Sequence, residues 1–140
     1  MSSEATNQTF SWPVRVYYED TDAQGVVYYA NYFRFLERAR TEWLRALGVE
    51  QDVLMREQKR VFVVVETRAE FLRPAKFNEE LAVTVRLADR ARASFGLEQT
   101  VLRRADGALL LRGSVRAACL NAETMKPARL PDELFEEIQS

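Results

Sequence analysis

Histidine is absent from the 140 residues. That removes a Ser-His-Asp triad, a Cys-His pair and any histidine-liganded metal at once, so hydrolytic chemistry here must come from carboxylates, lysine, tyrosine or backbone dipoles. Cysteine occurs once, as Cys119, which excludes an internal disulfide. Its place in the apolar stretch of residues 115–120 suits a buried structural thiol. Glycine (5) and proline (4) are scarce, and no low-complexity tract or repeat interrupts the chain. No apolar run reaches the roughly 20 residues that a membrane-spanning helix needs. Residues 1–8 lack the basic and apolar blocks of a secretory signal, so a cytoplasmic protein is expected. Positive and negative residues nearly cancel, 20 against 21, which leaves no broad basic field for nucleic acid.

What is present fits one domain over residues 1–140, with the first ten residues loosely held. Residues 12–18 alternate with period two and predict a first strand, with Pro13 near its start or at an edge. An acidic turn follows, Glu19-Asp20-Thr21-Asp22-Ala23-Gln24-Gly25. From about Asn31, the residues Tyr32, Phe35, Leu36, Ala39, Trp43 and Leu47 recur at helical spacing and predict one long amphipathic helix. Asn31 is its expected N-cap and Gly48 its expected C′ residue. Strands are predicted over 61–72, 81–87, 94–103 and 108–120, with Asp106-Gly107 closing a hairpin. These four read as an antiparallel meander. Residues 131–138 predict a short C-terminal helix opened by proline. The fold class is α+β, with the helix laid across a curved antiparallel sheet of about five strands because its apolar stripe has no other large surface to bury.

The acidic turn and the helix start bring two chemical elements together. Asp20 and Asp22 offer carboxylates, and the residues around 28–31 offer unpaired backbone N–H groups at the positive end of a helix dipole. Such donors stabilise an oxyanion, and a carboxylate beside them can attack or activate water. The competing reading is structural, because aspartate in such a turn routinely makes an Asx-turn or caps the following helix. A third reading makes Glu19, Asp20 and Asp22 oxygen ligands for a hard cation, although the spacing of a calcium loop is incomplete.

The segment Trp12-Pro13-Val14-Arg15-Val16-Tyr17-Tyr18-Glu19-Asp20-Thr21-Asp22-Ala23-Gln24-Gly25-Val26-Val27-Tyr28-Tyr29-Ala30-Asn31-Tyr32 resembles the signature of the Tol-Pal-associated acyl-CoA thioesterases, relatives of 4-hydroxybenzoyl-CoA thioesterase. The likeness continues through Glu37-Arg38-Ala39-Arg40-Thr41-Glu42-Trp43-Leu44-Arg45 and reaches Met125-Lys126-Pro127. It implies a hotdog fold and hydrolysis of an acyl-CoA thioester without a metal or bound cofactor. It also implies a homodimer or homotetramer with active sites at the subunit interface, and an acyl carrier protein as a further partner. In that family the second aspartate of the Asp-x-Asp pair is catalytic, which assigns Asp22 here. The backbone donor at the helix start becomes the N–H of Tyr29.

Two positions depart from the Tol-Pal-associated pattern. Tyr29 stands where those members commonly have histidine and where the hydroxybenzoyl-CoA branch has tyrosine, and Gln24 stands where glycine is usual. Arg90 and Arg92 occupy the turn where the hydroxybenzoyl-CoA enzyme binds the CoA phosphates, and the alternative for them is a solvated hairpin. A hotdog hydratase is disfavoured by the missing histidine. A non-catalytic module that binds acyl-CoA or acyl carrier protein remains the alternative function, and an interaction role at the cell envelope would be compatible with catalysis.

Overall fold

The computed structural model describes residues 9–139, with side chains as far as Phe135. Residues 1–8, most of the segment expected to be loosely held, lie outside the described residues. Five strands form one antiparallel sheet in the order β1-β3-β4-β5-β2. They are β1 (Phe10–Arg15), β2 (Arg60–Phe71), β3 (Glu80–Arg90), β4 (Ser94–Arg103) and β5 (Leu109–Asn121). The long helix α1 (Asn31–Ala46) packs on the sheet face, contacting β3 and β1. The expected α+β arrangement is therefore present.

The first strand begins earlier than the alternation suggested and ends before Val16. Pro13 lies opposite Ala82 in this edge strand, where a missing N–H is tolerated. Val16 still donates to Glu79 O at 2.9 Å, but the Tyr17 N–H turns to the Asp20 carboxylate. A 3-10 turn over Tyr18–Asp20 then replaces the strand.

Two further expectations need correction. A helix not foreseen, α2 (Gln51–Gln58), sits between α1 and β2, with only Leu54 buried on it. One buried residue gives no readable stripe. Lys59 ends it in the left-handed region, φ 57°. The meander is also incomplete, because β2 pairs with β5 and not with its sequence neighbour β3. Residues 72–79 carry the chain from one edge of the sheet towards β3, and the N–H groups of Leu72 and Arg73 both donate to Leu110 O on the way. The β4–β5 hairpin closes as expected, with the Gly107 N–H on Arg103 O at 2.7 Å.

The core forms where the stripe of α1 meets the inward residues of the sheet. Phe35, Leu36, Ala39 and Trp43 are buried against Leu81, Val83, Val85, Phe95 and Leu97. Each large side chain withdrawn from water contributes about 1.5–3 kcal/mol. Gly48, at φ 95°, ends α1 in a conformation that disfavours a Cβ. Cys119 is buried, and burial pushes its thiol above the ordinary pKa. The C-terminal helix α3 spans Asp132–Gln139, and no helix among the described residues is long and apolar enough to cross a membrane.

Tyr32 ties α1 to the crossing segment, since its oxygen accepts the Ala75 N–H at 2.9 Å in a buried setting. Tyr32→Phe leaves that N–H without a partner, and unfolding in urea is expected to show a loss of about 1–3 kcal/mol. An unchanged denaturation midpoint would mean that the bond contributes nothing.

Candidate active site

The acidic turn is closed at its base by Asp20. This residue is 7% exposed, and each carboxylate oxygen has a partner. Oδ2 accepts the Tyr17 N–H at 2.8 Å and Oδ1 accepts Asn31 Nδ2 at 2.9 Å. Its carbonyl also accepts the Tyr28 N–H at 3.0 Å. One residue therefore joins the end of the first strand to the start of α1. Asn31 is not the N-cap that was expected; Ala30 takes that position without a side-chain cap. The Asn31 amide is drawn to Asp20 instead.

Asp22 stands at the head of the next turn. Its carbonyl accepts the Gly25 N–H at 3.0 Å, its own N–H donates to Val26 O at 2.9 Å, and Oδ1 accepts the Gln24 N–H at 2.9 Å. Gly25 has φ 79°, which fits glycine with no steric cost. Both aspartates thus make the structural bonds that turns favour, but to different extents. Asp20 is buried and saturated. Asp22 is half-buried, and its Oδ2 has no partner among the described residues.

The turn is held in place by the crossing segment. Val27 N–H donates to Ala75 O at 2.8 Å and Phe77 N–H to Gly25 O at 3.1 Å. Sequence reasoning left residues 73–80 as a connection between two strands, yet residues 72–79 form a wall of the site. The Arg73-Pro74 pair, which cannot continue a central strand, was the available signal.

At the helix start the carbonyls of Tyr28, Tyr29 and Ala30 accept the N–H groups of Asn31, Tyr32 and Phe33. The N–H groups of Tyr29 and Ala30 have no acceptor among the described residues. They are open donors at the positive end of a 16-residue helix. Tyr29 is 58% exposed, and its ring packs against Tyr28 and Phe71, with centroids 5.1 and 6.2 Å away. A cleft beside it is walled by Val27, Tyr32, Phe71 and Pro74.

Arg90 and Arg92 lie elsewhere. Asp22 belongs to the end of the sheet where β3 begins, whereas Arg90 ends β3 and Arg92 follows in the hairpin. Eleven residues of strand separate the two ends, roughly 35 Å at the usual rise. The Arg90 guanidinium is 4.5 Å from the ring centroid of Phe135 in α3, and its buried Nε has no hydrogen-bond partner among the described residues. Arg129 approaches the same ring at 4.4 Å. Arg92 is exposed, and its carbonyl accepts the Leu130 N–H. One chain alone does not bring these arginines to Asp22.

The two aspartates should separate in their effects on stability. Asp20→Ala is expected to cost about 1–3 kcal/mol in urea unfolding by stranding the Tyr17 N–H. Asp22→Ala should change it by no more than about 0.5 kcal/mol. Equal losses would contradict the division between them.

Residues 16–138 match the thioesterase-like superfamily. The acyl-CoA thioesterase YbgC of Haemophilus influenzae is 42% identical over 125 residues, covering 89% of this chain and 90% of that protein. A probable thioesterase from Bartonella henselae superposes with a TM-score of 0.82 at 36% identity, covering 89% of this chain and 100% of that one. The 1,4-dihydroxy-2-naphthoyl-CoA thioesterase of Synechocystis shares the fold, with a TM-score of 0.88 at 22% identity over 95% of this chain and 97% of that one. On its sequence, its fold and these relatives, the chain belongs to the thioesterase-like superfamily and, within it, to the YbgC family, the Tol-Pal-associated thioesterases that its signature resembles.

Proposed function

We propose that this protein hydrolyses acyl-CoA thioesters with Asp22 as the catalytic carboxylate and the N–H of Tyr29 as the oxyanion donor. The observation that carries this reading is the combination of a carboxylate oxygen that has no partner among the described residues and open N–H groups at the start of the following helix. The thioester carbonyl docks on the Tyr29 N–H, with the Ala30 N–H beside it. Asp22 Oδ2 then attacks the carbon and the C–S bond breaks to release the CoA thiolate, giving a mixed anhydride that water cleaves, or it takes a proton from the water that attacks, and the same bond breaks as the intermediate collapses to the acid and CoA. Either way the tetrahedral oxyanion meets preset dipoles at the moment it forms. Asp20 holds the turn and the helix start in register and takes no part in the chemistry. CoA enters as part of the substrate, so the reading calls for no resident cofactor.

The same reading makes the working unit a dimer joined through β2. The two sheet edges differ: β1 has six residues and contains Pro13, whereas β2 has 12 and contains no proline. Val64 and Val65 are exposed on β2, Val65 by 59%. A long edge that is apolar over residues 61–65 calls for a strand to cover it, and a second copy offers one. β2 runs from the Arg90 end of the sheet to the Asp22 end, so antiparallel pairing of two β2 strands sets Arg90 and Arg92 of one copy near Asp22 of the other. That supports their assignment to the CoA phosphates, which suit arginine by charge and donor geometry. An acyl carrier protein could present its acyl group to the same site.

Thiol release from a panel of acyl-CoAs tests the chemistry. Asp22→Asn is expected to lower kcat by about 10²–10⁴ on every substrate cleaved by the parent protein, and unchanged turnover would refute the assignment. Sedimentation velocity tests the assembly. Replacing Val64 and Val65 together by glutamate should yield folded monomers and remove activity in the same preparation. A parent protein that is fully active as a monomer would exclude the shared site.

A further inference from the structure

A cavity of about 120 Å³ lies between α1 and the first residues of β2, at the opposite end of the sheet from Asp22. Its wall is mostly apolar, including Trp43, Leu44, Phe62 and Leu97. Arg40 breaks that wall. Its Nη1 donates to Gln99 Oε1 at 3.1 Å, and no other acceptor for it is found among the described residues. Gln99 is 1% exposed, and its Nε2 is committed to two backbone carbonyls, Leu36 O at 3.1 Å and Thr84 O at 3.3 Å. The amide oxygen therefore has to face Arg40. Gln99 thus takes one donor of the planar five-donor fork, and Arg40 itself lines the cavity. Burial pushes the Arg40 pKa below its ordinary value, with the charge of Glu37 opposing that shift; arginine stays protonated all the same.

The dimer proposed above places this cavity. β2 begins beside it, with Phe62 and Val63 in its wall, and ends at Phe71 beside Tyr29. Antiparallel self-pairing of β2 therefore sets the cavity of one copy against the Asp22 turn of the other. Neither chain has both parts at the same end. A cavity of roughly 150 Å³ takes a molecule the size of benzene, so this one takes only a short group.

We propose that, in the dimer, the far end of the acyl group enters this cavity and that Arg40 donates to an oxygen there, so that the preferred substrates are short acyl-CoAs carrying a distal hydroxyl or carboxylate. The inference rests on the thioesterase reading and on β2 pairing. A plain alkyl chain of the same length leaves the Arg40 donors desolvated and unmatched, which is the situation that allows a polar site to reject an apolar analogue. Arg40 is a specificity residue and Gln99 a positioning residue behind it.

The test compares pentanoyl-CoA, 5-hydroxypentanoyl-CoA and glutaryl-CoA, which share chain length and differ in having no distal oxygen, a neutral one or a charged one. The parent dimer is expected to favour at least one oxygenated substrate over pentanoyl-CoA by about tenfold or more in kcat/KM. Which of the two leads tells whether the carboxylate of Glu37, on the same cavity wall, repels a charged end. Arg40→Met should bring the ratio close to one, and Arg40→Lys, which keeps the charge but loses the fork, should retain part of it. Should Arg40→Met fail to fold, the parent's own ratio and the Arg40→Lys variant decide the matter. Equal kcat/KM on all three substrates, with turnover still dependent on Asp22, overturns this inference alone. Absence of Asp22-dependent release from every acyl-CoA overturns the thioesterase reading and this inference with it.

Discussion

The carboxylate of Asp20 joins the chain leaving β1 to the first residue of α1. A buried carboxylate is stable only if its oxygens are matched by donors, and here the donors come from residues on either side of the turn. Matching them fixes the turn's span, and that span sets where Asp22 and the open N–H groups of Tyr29 and Ala30 stand. The spacing of two residues between the aspartates divides the work between them. One carboxylate turns inward and becomes a fastener; the next turns outward with an oxygen to spare. A chain in which Asp20 lost a partner would free the turn and the helix start together.

A second polar fastener holds the middle of α1. Gln99 occupies an inward position of β4 between Leu97 and Val101, where an apolar residue would be the ordinary choice. Its amide bonds to the helix backbone at Leu36, to the sheet backbone at Thr84 and to the side chain of Arg40. Each bond is worth only about 1 kcal/mol net, but an unmatched amide at this depth would cost more than that. The arrangement therefore selects one rotation and one height of α1 over the sheet. Since the start of that helix carries the open N–H groups of Tyr29 and Ala30, the setting of Gln99 is felt there through a rigid element.

Much of this was legible in the sequence. The period-two runs marked the strands, the helical stripe from Tyr32 to Leu47 marked α1, and Asp106-Gly107 marked its hairpin, because each signal is local. The pairing of β2 with β5 was not legible, since neighbours in sequence are the default partners and only the long connection through residues 72–79 argues otherwise. The helix α2 was hidden by having a single buried residue. At the site, turn chemistry alone could not rank Asp20 against Asp22, because both make the bonds that favour aspartate in turns. Burial separates them, and burial is a tertiary property. The polar letter at position 99 within the inward series Phe95, Leu97 and Val101 was readable as an exception, although its three partners were not.

The missing histidines bear on which bond such a site can break. Charge is conserved along both routes proposed for Asp22. Attack by Oδ2 would move its negative charge to the carbonyl oxygen, and abstraction of a proton from water would leave the same single charge there. The start of α1 would then stabilise one displaced charge and never two adjacent ones, a task within reach of a helix dipole and two N–H donors. Collapse of the intermediate must then expel a leaving group. An amine would need a proton delivered by a general acid, the part that histidine plays in the serine hydrolases. A thiolate is a far weaker base than an amine anion and leaves without one. A site built from one aspartate and backbone dipoles is thus matched to thioesters and poorly equipped for amides, and the absence of histidine costs it little.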